Sequence, residues 1–173
     1  MRTVSAAGHT ALFFAAAPGV VAGAVPWALT GWRLAGDVPV GLRWVGGAVT
    51  SVAAVLLVHS FVRFVVEGSG TPAPSAPTER LVVGGLYRYV RNPMYLAVLS
   101  AILGQALLLG QAVLVPYAAV VLAAVASFVH WYEEPTLSER FGPAYDHYRA
   151  SVPGWIPRLH ARDVTTVEKT RRL

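Results

Sequence analysis

The stretch that decides the fold is Gly85-Leu-Tyr-Arg-Tyr-Val-Arg-Asn-Pro-Met-Tyr95, which is aromatic and basic and stands directly before a long apolar run. A second charged cluster, Glu133-Glu134, stands directly after the next apolar run. Clusters placed in this way lie at the open end of a helical hairpin. Charges at such an edge are either simple membrane anchors or, when an acid faces a base, the parts of a site.

Composition sets the class of the protein. The chain has 173 residues, of which 55% are hydrophobic and 13% charged, with a mean hydropathy of +0.52. These values are too apolar for an average soluble domain. A bilayer requires about 20 apolar residues in a helix. We therefore expect an all-α integral membrane protein with one domain over residues 1–173. The predicted transmembrane helices are residues 11–32, 44–66, 93–109 and 112–132, the last two forming a hairpin.

The N-terminal run has an alternative interpretation as a cleaved secretory signal, since Ala22-Gly-Ala24 resembles a cleavage site. The run continues to Trp32, however, which favours a transmembrane helix. Basic residues concentrate in the connector 67–92 and in the tail, which places both in the cytoplasm by the positive-inside rule. We thus expect a multi-pass protein of the inner (cytoplasmic) membrane with its site facing the cytoplasm.

The charge distribution also excludes some functions. The net charge of +5 suits anionic lipid headgroups, so membrane lipids are expected partners. Nucleic-acid binding is not indicated, because no soluble face carries basic residues interleaved with aromatic ones. The sequence has no cysteine, which excludes a thiolate zinc site and a thiol nucleophile. No metal site is expected.

The connector and the tail differ in character along their length. Residues 68–77 are rich in Pro, Gly and Ser and predict a flexible link, whereas Leu81-Val-Val83 is apolar and β-prone. The segment 135–157 is amphipathic, and Gly142-Pro143 should divide it into two short helices. It either lies on the membrane or folds back as a lid. Its apolar residues recur at helical spacing: Leu137, Phe141, Tyr145, Tyr148 and Val152.

Asn92-Pro93 predicts the start of the third helix, because Asn is a favoured N-cap and Pro a favoured first residue. Counted back from the turn at Gly110-Gln111, Asn92 and Glu133 lie at depths that differ by only about 6 Å. Arg91 and Glu133 are therefore predicted partners. We expect the fourth helix to end before Pro135, so that two adjacent carboxylates stand at its C-terminus, where the helix dipole disfavours them. At least one of them should be held by Arg91.

These residues resemble a known family. The pattern Gly-x-Tyr-x-x-x-Arg-(His/Asn)-Pro-x-Tyr, an apolar hairpin and Glu-Glu-x-x-Leu-x-x-x-Phe-Gly-x-x-Tyr-x-x-Tyr is that of the isoprenylcysteine carboxyl methyltransferase and phospholipid methyltransferase superfamily. The resemblance covers residues 79–157 and is specific in spacing and order. It implies an integral membrane methyltransferase that uses S-adenosyl-L-methionine without a Rossmann fold, and no G-x-G-x-x-G occurs in the chain.

The resemblance also implies site residues. Catalytic roles fall to Arg91 and Glu134, and Glu134 and His130 are the available bases if the acceptor is an amine. Substrate-binding candidates are His130 and Arg149. The residues expected to contact the cofactor are Arg80, Leu81, Val82, Tyr87, Asn92, Pro93, Met94, Tyr95 and Glu133.

Two positions depart from the family pattern. Asn92 stands where many members have His, and it keeps a donor but cannot titrate. Val129 stands where prenylcysteine enzymes resemble one another in a basic residue, which argues against a prenylcysteine acceptor. We therefore expect a lipophilic small-molecule or lipid acceptor. The alternatives are a membrane-embedded sterol-type reductase, for which the chain is short, and a non-catalytic membrane scaffold.

Overall fold

The computed structural model describes residues 17–68 and 81–159, with only the backbone for residues 64–68. Within these ranges the protein is all-helical, with no β-strand. The apolar segment Leu81–Val83, which the sequence marks as β-prone, is extended without pairing. The helices are α1 (Ala17–Thr30), α2 (Val40–Gly68), α3 (Pro93–Leu109), α4 (Leu114–Phe141) and α5 (Pro143–Ser151), with a one-turn 3₁₀ helix at Gly85–Arg88.

The lengths and composition of the helices fit a membrane protein. Val40–Arg63 of α2 spans 24 residues and Leu114–Phe141 spans 28, and both are apolar and long enough to cross a bilayer. Most of their residues are not covered by other parts of the protein, so the apolar side chains face outward. α1 and α3 are shorter apolar helices. Apolar side chains exposed in this way are typical of helices that lie in a bilayer.

Small residues set the contact between α2 and α3. A side chain at Gly46 would collide with the backbone at Leu108 and Gly104. A Cβ at Gly104 would lie 2.5 Å from the Thr50 hydroxyl oxygen and 2.8 Å from the Thr50 backbone nitrogen. Glycine at both positions therefore allows the two backbones to approach, as is usual between membrane helices. Arg43 at the start of α2 donates to the carbonyl of Leu108 at 3.0 Å, satisfying one of the last acceptors of α3.

α1 is attached to the other helices through a π-helical turn at Val20–Ala24. Tyr117 of α4 donates to the Val21 carbonyl and Gln105 of α3 to the Ala22 carbonyl, both at 2.7 Å. These bonds satisfy backbone acceptors within an apolar helix, where no water would be available. The residues beneath them form the core between α3 and α4: Ile102, Ala106, Leu109, Leu114 and Ala118.

The length of α4 corrects the sequence prediction. The predicted helix 112–132 was expected to stop before Pro135, but α4 continues to Phe141. A π-helical turn at Val129–Glu133 makes this possible, since Glu134 N–H bonds to the Val129 carbonyl five residues back and Pro135 follows in the first positions of the renewed α-helix. The two glutamates thus lie inside a helix and not at its end, so the argument from an unfavourable dipole does not apply to them.

The amphipathic tail folds back onto the connector. Gly142 (φ 52°, ψ −132°) separates α4 from α5, as the Gly-Pro pair predicted. The predicted apolar stripe is packed against Leu81 and Val83, and Tyr145, Tyr148 and Val152 are buried. The Tyr148 hydroxyl also donates to the Tyr87 carbonyl at 2.8 Å. This packing brings the connector, the start of α3, the π turn of α4 and α5 together.

Candidate active site

A small cavity of about 50 Å³ lies where these four elements meet. Residues from both halves of the sequence pattern face it. Leu81, Val82 and Val129 form apolar walls, and Leu137 closes another side. The polar and aromatic residues that line it are Tyr87, Arg91, Asn92, Glu133, Glu134, Tyr145 and Tyr148.

Glu133 is joined to α3 through Tyr95. The Tyr95 hydroxyl donates to Glu133 Oε2 at 3.0 Å. The second carboxylate oxygen, Oε1, has no hydrogen bond to a described residue, and the side chain lines the cavity. Glu133 therefore lines the cavity with one acceptor oxygen that no described residue occupies.

Glu134, and not Glu133, is the partner of Arg91. Arg91 Nη1 forms a charge-assisted hydrogen bond with Glu134 Oε1, and Arg149 Nη2 lies 3.2 Å from Glu134 Oε2. The prediction that Arg91 pairs with Glu133 was thus wrong, whereas the prediction that Arg91 holds at least one of the two carboxylates is confirmed. The π turn explains the exchange, because it shifts the register of every side chain that follows it.

Arg91 also holds the segment that follows α5, which we call the strap (Val152–Arg158). Arg91 Nε donates to the Val152 carbonyl at 3.0 Å, and the Arg91 amide donates to the Pro153 carbonyl at 2.9 Å. The Arg158 amide donates to the Tyr89 carbonyl at 3.1 Å at the far end of the strap. Since Nη1 also reaches the Tyr145 hydroxyl at 3.2 Å, most of the donors of Arg91 have structural partners.

Asn92 carries an unsatisfied donor. It occupies the N-cap position of α3, as predicted, but its side chain makes no capping hydrogen bond. Nδ2 is buried and has no hydrogen-bond partner among the described residues. A buried donor without an acceptor costs about 1–3 kcal/mol, which favours binding of a ligand that supplies one.

The two buried tyrosines of α5 are protonated at neutral pH. Burial raises the pKa of the Tyr145 phenol, and the neighbouring Glu134 carboxylate raises it further, against a lowering by Arg91. Burial likewise raises the pKa of Tyr148. Both phenols therefore serve as neutral hydrogen-bonding groups and not as bases.

The structure brings together most of the residues that the sequence singled out. Leu81, Val82, Tyr87, Asn92 and Glu133 line the cavity together with Arg91 and Glu134. Arg149 reaches the site through Glu134 but is half exposed. Arg80 lies outside the described residues.

Four further predicted residues do not line the cavity. Pro93 and Met94 belong to the first turn of α3 without facing it, and Tyr95 contributes through Glu133. His130 is exposed and packs its ring against Trp131. The side chains that were read only as an apolar stripe, Leu137, Tyr145 and Tyr148, do line it. Their helical spacing was the available signal, but it does not distinguish a packing face from a cavity wall.

Comparison with known proteins defines the class. The chain matches the phospholipid methyltransferase family over residues 42–144, and it belongs to this family. It is also 39% identical over 79 residues to the protein-S-isoprenylcysteine O-methyltransferase of Schizosaccharomyces pombe. That match covers 46% of this chain and 34% of the relative, so the chain matches about a third of the length of that protein. No solved structure matches the chain.

Proposed function

We propose that this protein is an S-adenosylmethionine-dependent methyltransferase of the membrane, with the cavity beside Arg91 and Glu133 as its active site. The observation that carries the proposal is the meeting of the two motif halves. Tyr95 bonds to Glu133 and Arg91 to Glu134, around one cavity. Membership of the phospholipid methyltransferase family supports a methyltransferase.

The chemistry of the lining residues suits this cofactor. S-adenosylmethionine supplies a methyl group on a positively charged sulfur, which a nucleophile attacks directly. Glu133 would accept from ribose hydroxyls or from the cofactor's ammonium group, and Tyr87 would pack against an aromatic or cationic part. The unpartnered Asn92 Nδ2 is a donor that such a ligand would satisfy. The role of Arg91 in this proposal is positioning, because its guanidinium already fixes the strap and Glu134.

The site must widen to take a cofactor. A cavity of about 50 Å³ is much smaller than the pockets of about 300–1,000 Å³ that bind small molecules. Gly142 offers a hinge, because its conformation (φ 52°, ψ −132°) is one that other residues rarely adopt. Motion of α5 and the strap about Gly142 would displace Tyr145 and Tyr148 from the cavity wall.

The acceptor we propose is lipophilic and reacts without a base. Both oxygens of Glu134 are occupied, one by Arg91 and one by Arg149, and His130 does not line the cavity. Neither candidate base is placed to take a proton from an amine. An acceptor that is already anionic, such as a carboxylate, needs no base. We propose that Arg149 orients this acceptor. We still expect prenylcysteines to be poor acceptors, because Val129 stands where prenylcysteine enzymes resemble one another in a basic residue.

Ligand binding would separate the candidate functions. Calorimetric titration of the purified protein with S-adenosylhomocysteine should give saturable binding, whereas NADPH should give none. Binding of NADPH alone would favour the reductase, and binding of neither would favour a scaffold. Transfer of a labelled methyl group from S-adenosylmethionine into a whole-cell lipid extract would then identify the acceptor by mass spectrometry.

We further propose that α1 to α4 all cross the membrane, with the cavity on the cytoplasmic side. Exposed tryptophans support two interfaces: Trp27, Trp32 and Trp44 at one end and Trp131 at the other. The chain has no cysteine, so single cysteines report topology directly. An Asp37→Cys variant should be labelled from outside the cell, and Glu139→Cys only after permeabilisation. The opposite pattern would contradict this orientation.

A further inference from the structure

Two large apolar side chains at the end of the strap are exposed. Ile156 is 79% exposed, and Leu159, directly after the strap, is 94% exposed. Arg158 stands between them in the sequence and is exposed as well. We call these three residues the outer face of the strap. Apolar side chains grouped in this way with a basic one are typical of a surface that contacts another body.

The other side of the strap is fixed to the protein. The Trp155 ring packs beside Tyr95 of α3, with 6.4 Å between the ring centroids. The Arg158 amide donates to the Tyr89 carbonyl at 3.1 Å. The outer face therefore projects from a backbone that is bound to the rest of the protein.

These contacts also define the depth of the strap relative to the membrane. Tyr89 lies just before α3, and Tyr95 lies in its first turn. With 17 residues α3 is about 25 Å long, which is shorter than the hydrocarbon core of about 30 Å. Since we propose that α3 crosses the membrane, its first turn lies at the boundary of that core. The strap then lies at the level where the lipid headgroups begin.

The charge of the outer face suits an anionic partner. The segment from Val152 to Leu159 contains no acidic residue. The Arg158 guanidinium forms no ion pair with a described residue, and the nearby Arg149 is half exposed. At headgroup level an arginine lays its aliphatic part along apolar groups and turns its guanidinium to lipid phosphates.

We propose that the outer face of the strap docks on the anionic phospholipid surface of the leaflet beside the cavity. Ile156 and Leu159 enter the interface, and Arg158 pairs with lipid phosphates. Because Arg91 binds the same strap from inside, docking stabilises it in its position beside the cavity. A second copy of this chain is the rival occupant, but a symmetric contact there would bring two arginines together. The inference rests on the proposed membrane crossing and not on methyl transfer.

Single cysteines locate the outer face, because the chain has no cysteine of its own. A polarity-sensitive fluorophore on Ile156→Cys, in nanodiscs that hold one protein each, should lose most of its emission to nitroxide-bearing lipids about 5–10 Å deep. The matched control is the same fluorophore on Glu139→Cys, which is exposed on α4 and should keep its emission. Equal emission at both positions would place the outer face in water and overturn the docking. Shielding of the fluorophore that requires two proteins in one disc would place a second copy there and overturn it as well.

Amide hydrogen exchange tests the preference for anionic lipid. The Arg158 amide should exchange about fivefold more slowly in discs that contain phosphatidylglycerol than in discs of phosphatidylcholine alone, the factor expected for one arginine. Arg158→Gln keeps this amide and should lose the difference, whereas Arg140→Gln on the exposed side of α4 should retain it. Equal exchange of the wild type in the two lipids would overturn the anionic docking. Neither measurement uses S-adenosylmethionine, so the docking and the proposed function can fail separately.

Discussion

Replacing Arg91 with lysine separates the charge of this residue from its geometry. Arg91 donates in three directions: to the Val152 carbonyl, to Glu134 and to the Tyr145 hydroxyl. A lysine ammonium is a compact point charge and retains the pairing with Glu134. It does not reach the Val152 carbonyl and the Tyr145 hydroxyl at the same time. Arg91→Lys should therefore keep the ion pair and release the strap.

The size of the effect follows from the bonds that are lost. A hydrogen bond from a charged donor to a carbonyl contributes about 1.5 kcal/mol or more, and the bond to Tyr145 about 1 kcal/mol. The Arg91 side chain is 15% exposed, so water compensates part of this loss. We expect the strap to lose about 2 kcal/mol of local stability. This loss corresponds to an equilibrium constant for opening that is about 30-fold larger.

Amide hydrogen exchange of the strap measures this directly. The Arg158 amide, bonded to the Tyr89 carbonyl, should exchange about 30-fold faster in Arg91→Lys, whereas amides in the middle of α3 should not change. The matched control is Arg140→Lys, because Arg140 is exposed and lies over the Phe141 ring. Protection of the strap that is equal in Arg91→Lys and the wild type would refute the conclusion that Arg91 holds it.

Three further outcomes are expected. Glu133→Gln should weaken the binding of S-adenosylhomocysteine by more than about 1 kcal/mol in calorimetry, because it removes a charged acceptor. The control Glu139→Gln, on the exposed face, should leave this affinity unchanged. Equal affinity of Glu133→Gln and the wild type would exclude Glu133 from the site. Gly104→Ala should lower the free energy of unfolding by about 2–3 kcal/mol, because the added Cβ meets the α2 backbone. An unchanged melting temperature would contradict this packing. Burial raises the pKa of Tyr148, so the stability that this phenol contributes is full below its ordinary pKa of about 10 and falls as pH rises above it. Between about pH 9 and 11 the free energy of unfolding should fall less in Tyr148→Phe than in the wild type. Identical pH profiles of the two proteins would exclude Tyr148 as the cause of the fall.

Those parts of the fold that depend on local signals were predictable from the sequence. The start of α3 follows from Asn92-Pro93, and the break between α4 and α5 follows from Gly142-Pro143. Both depend on the backbone preferences of one or two residues. The buried stripe of α5 follows in the same way from its spacing.

The hydrogen-bond partners within the site could not be predicted in this way. The N-cap position of Asn92 was correct, but its side chain makes no capping hydrogen bond and lines the cavity. His130 was chosen for its chemistry and is exposed, while its neighbour Val129 is buried in the cavity wall. Whether a side chain in a helix faces a cavity depends on the rotation of that helix, which composition does not determine.

The exchange of Glu133 for Glu134 as the partner of Arg91 has the same cause. Adjacent residues in a helix differ by about 1.5 Å in depth but by about 100° in direction. A depth count from the turn at Gly110 therefore finds the pair of glutamates without deciding between them. The π turn at Val129–Glu133 then adds a residue to one turn of α4, and no local residue preference predicts it. The two carboxylates therefore have different contacts. Glu134 is paired with two arginines, whereas Glu133 lines the cavity and has one oxygen without a hydrogen bond to a described residue. We therefore propose Glu133, the carboxylate that the arginines do not occupy, as the one that binds a ligand.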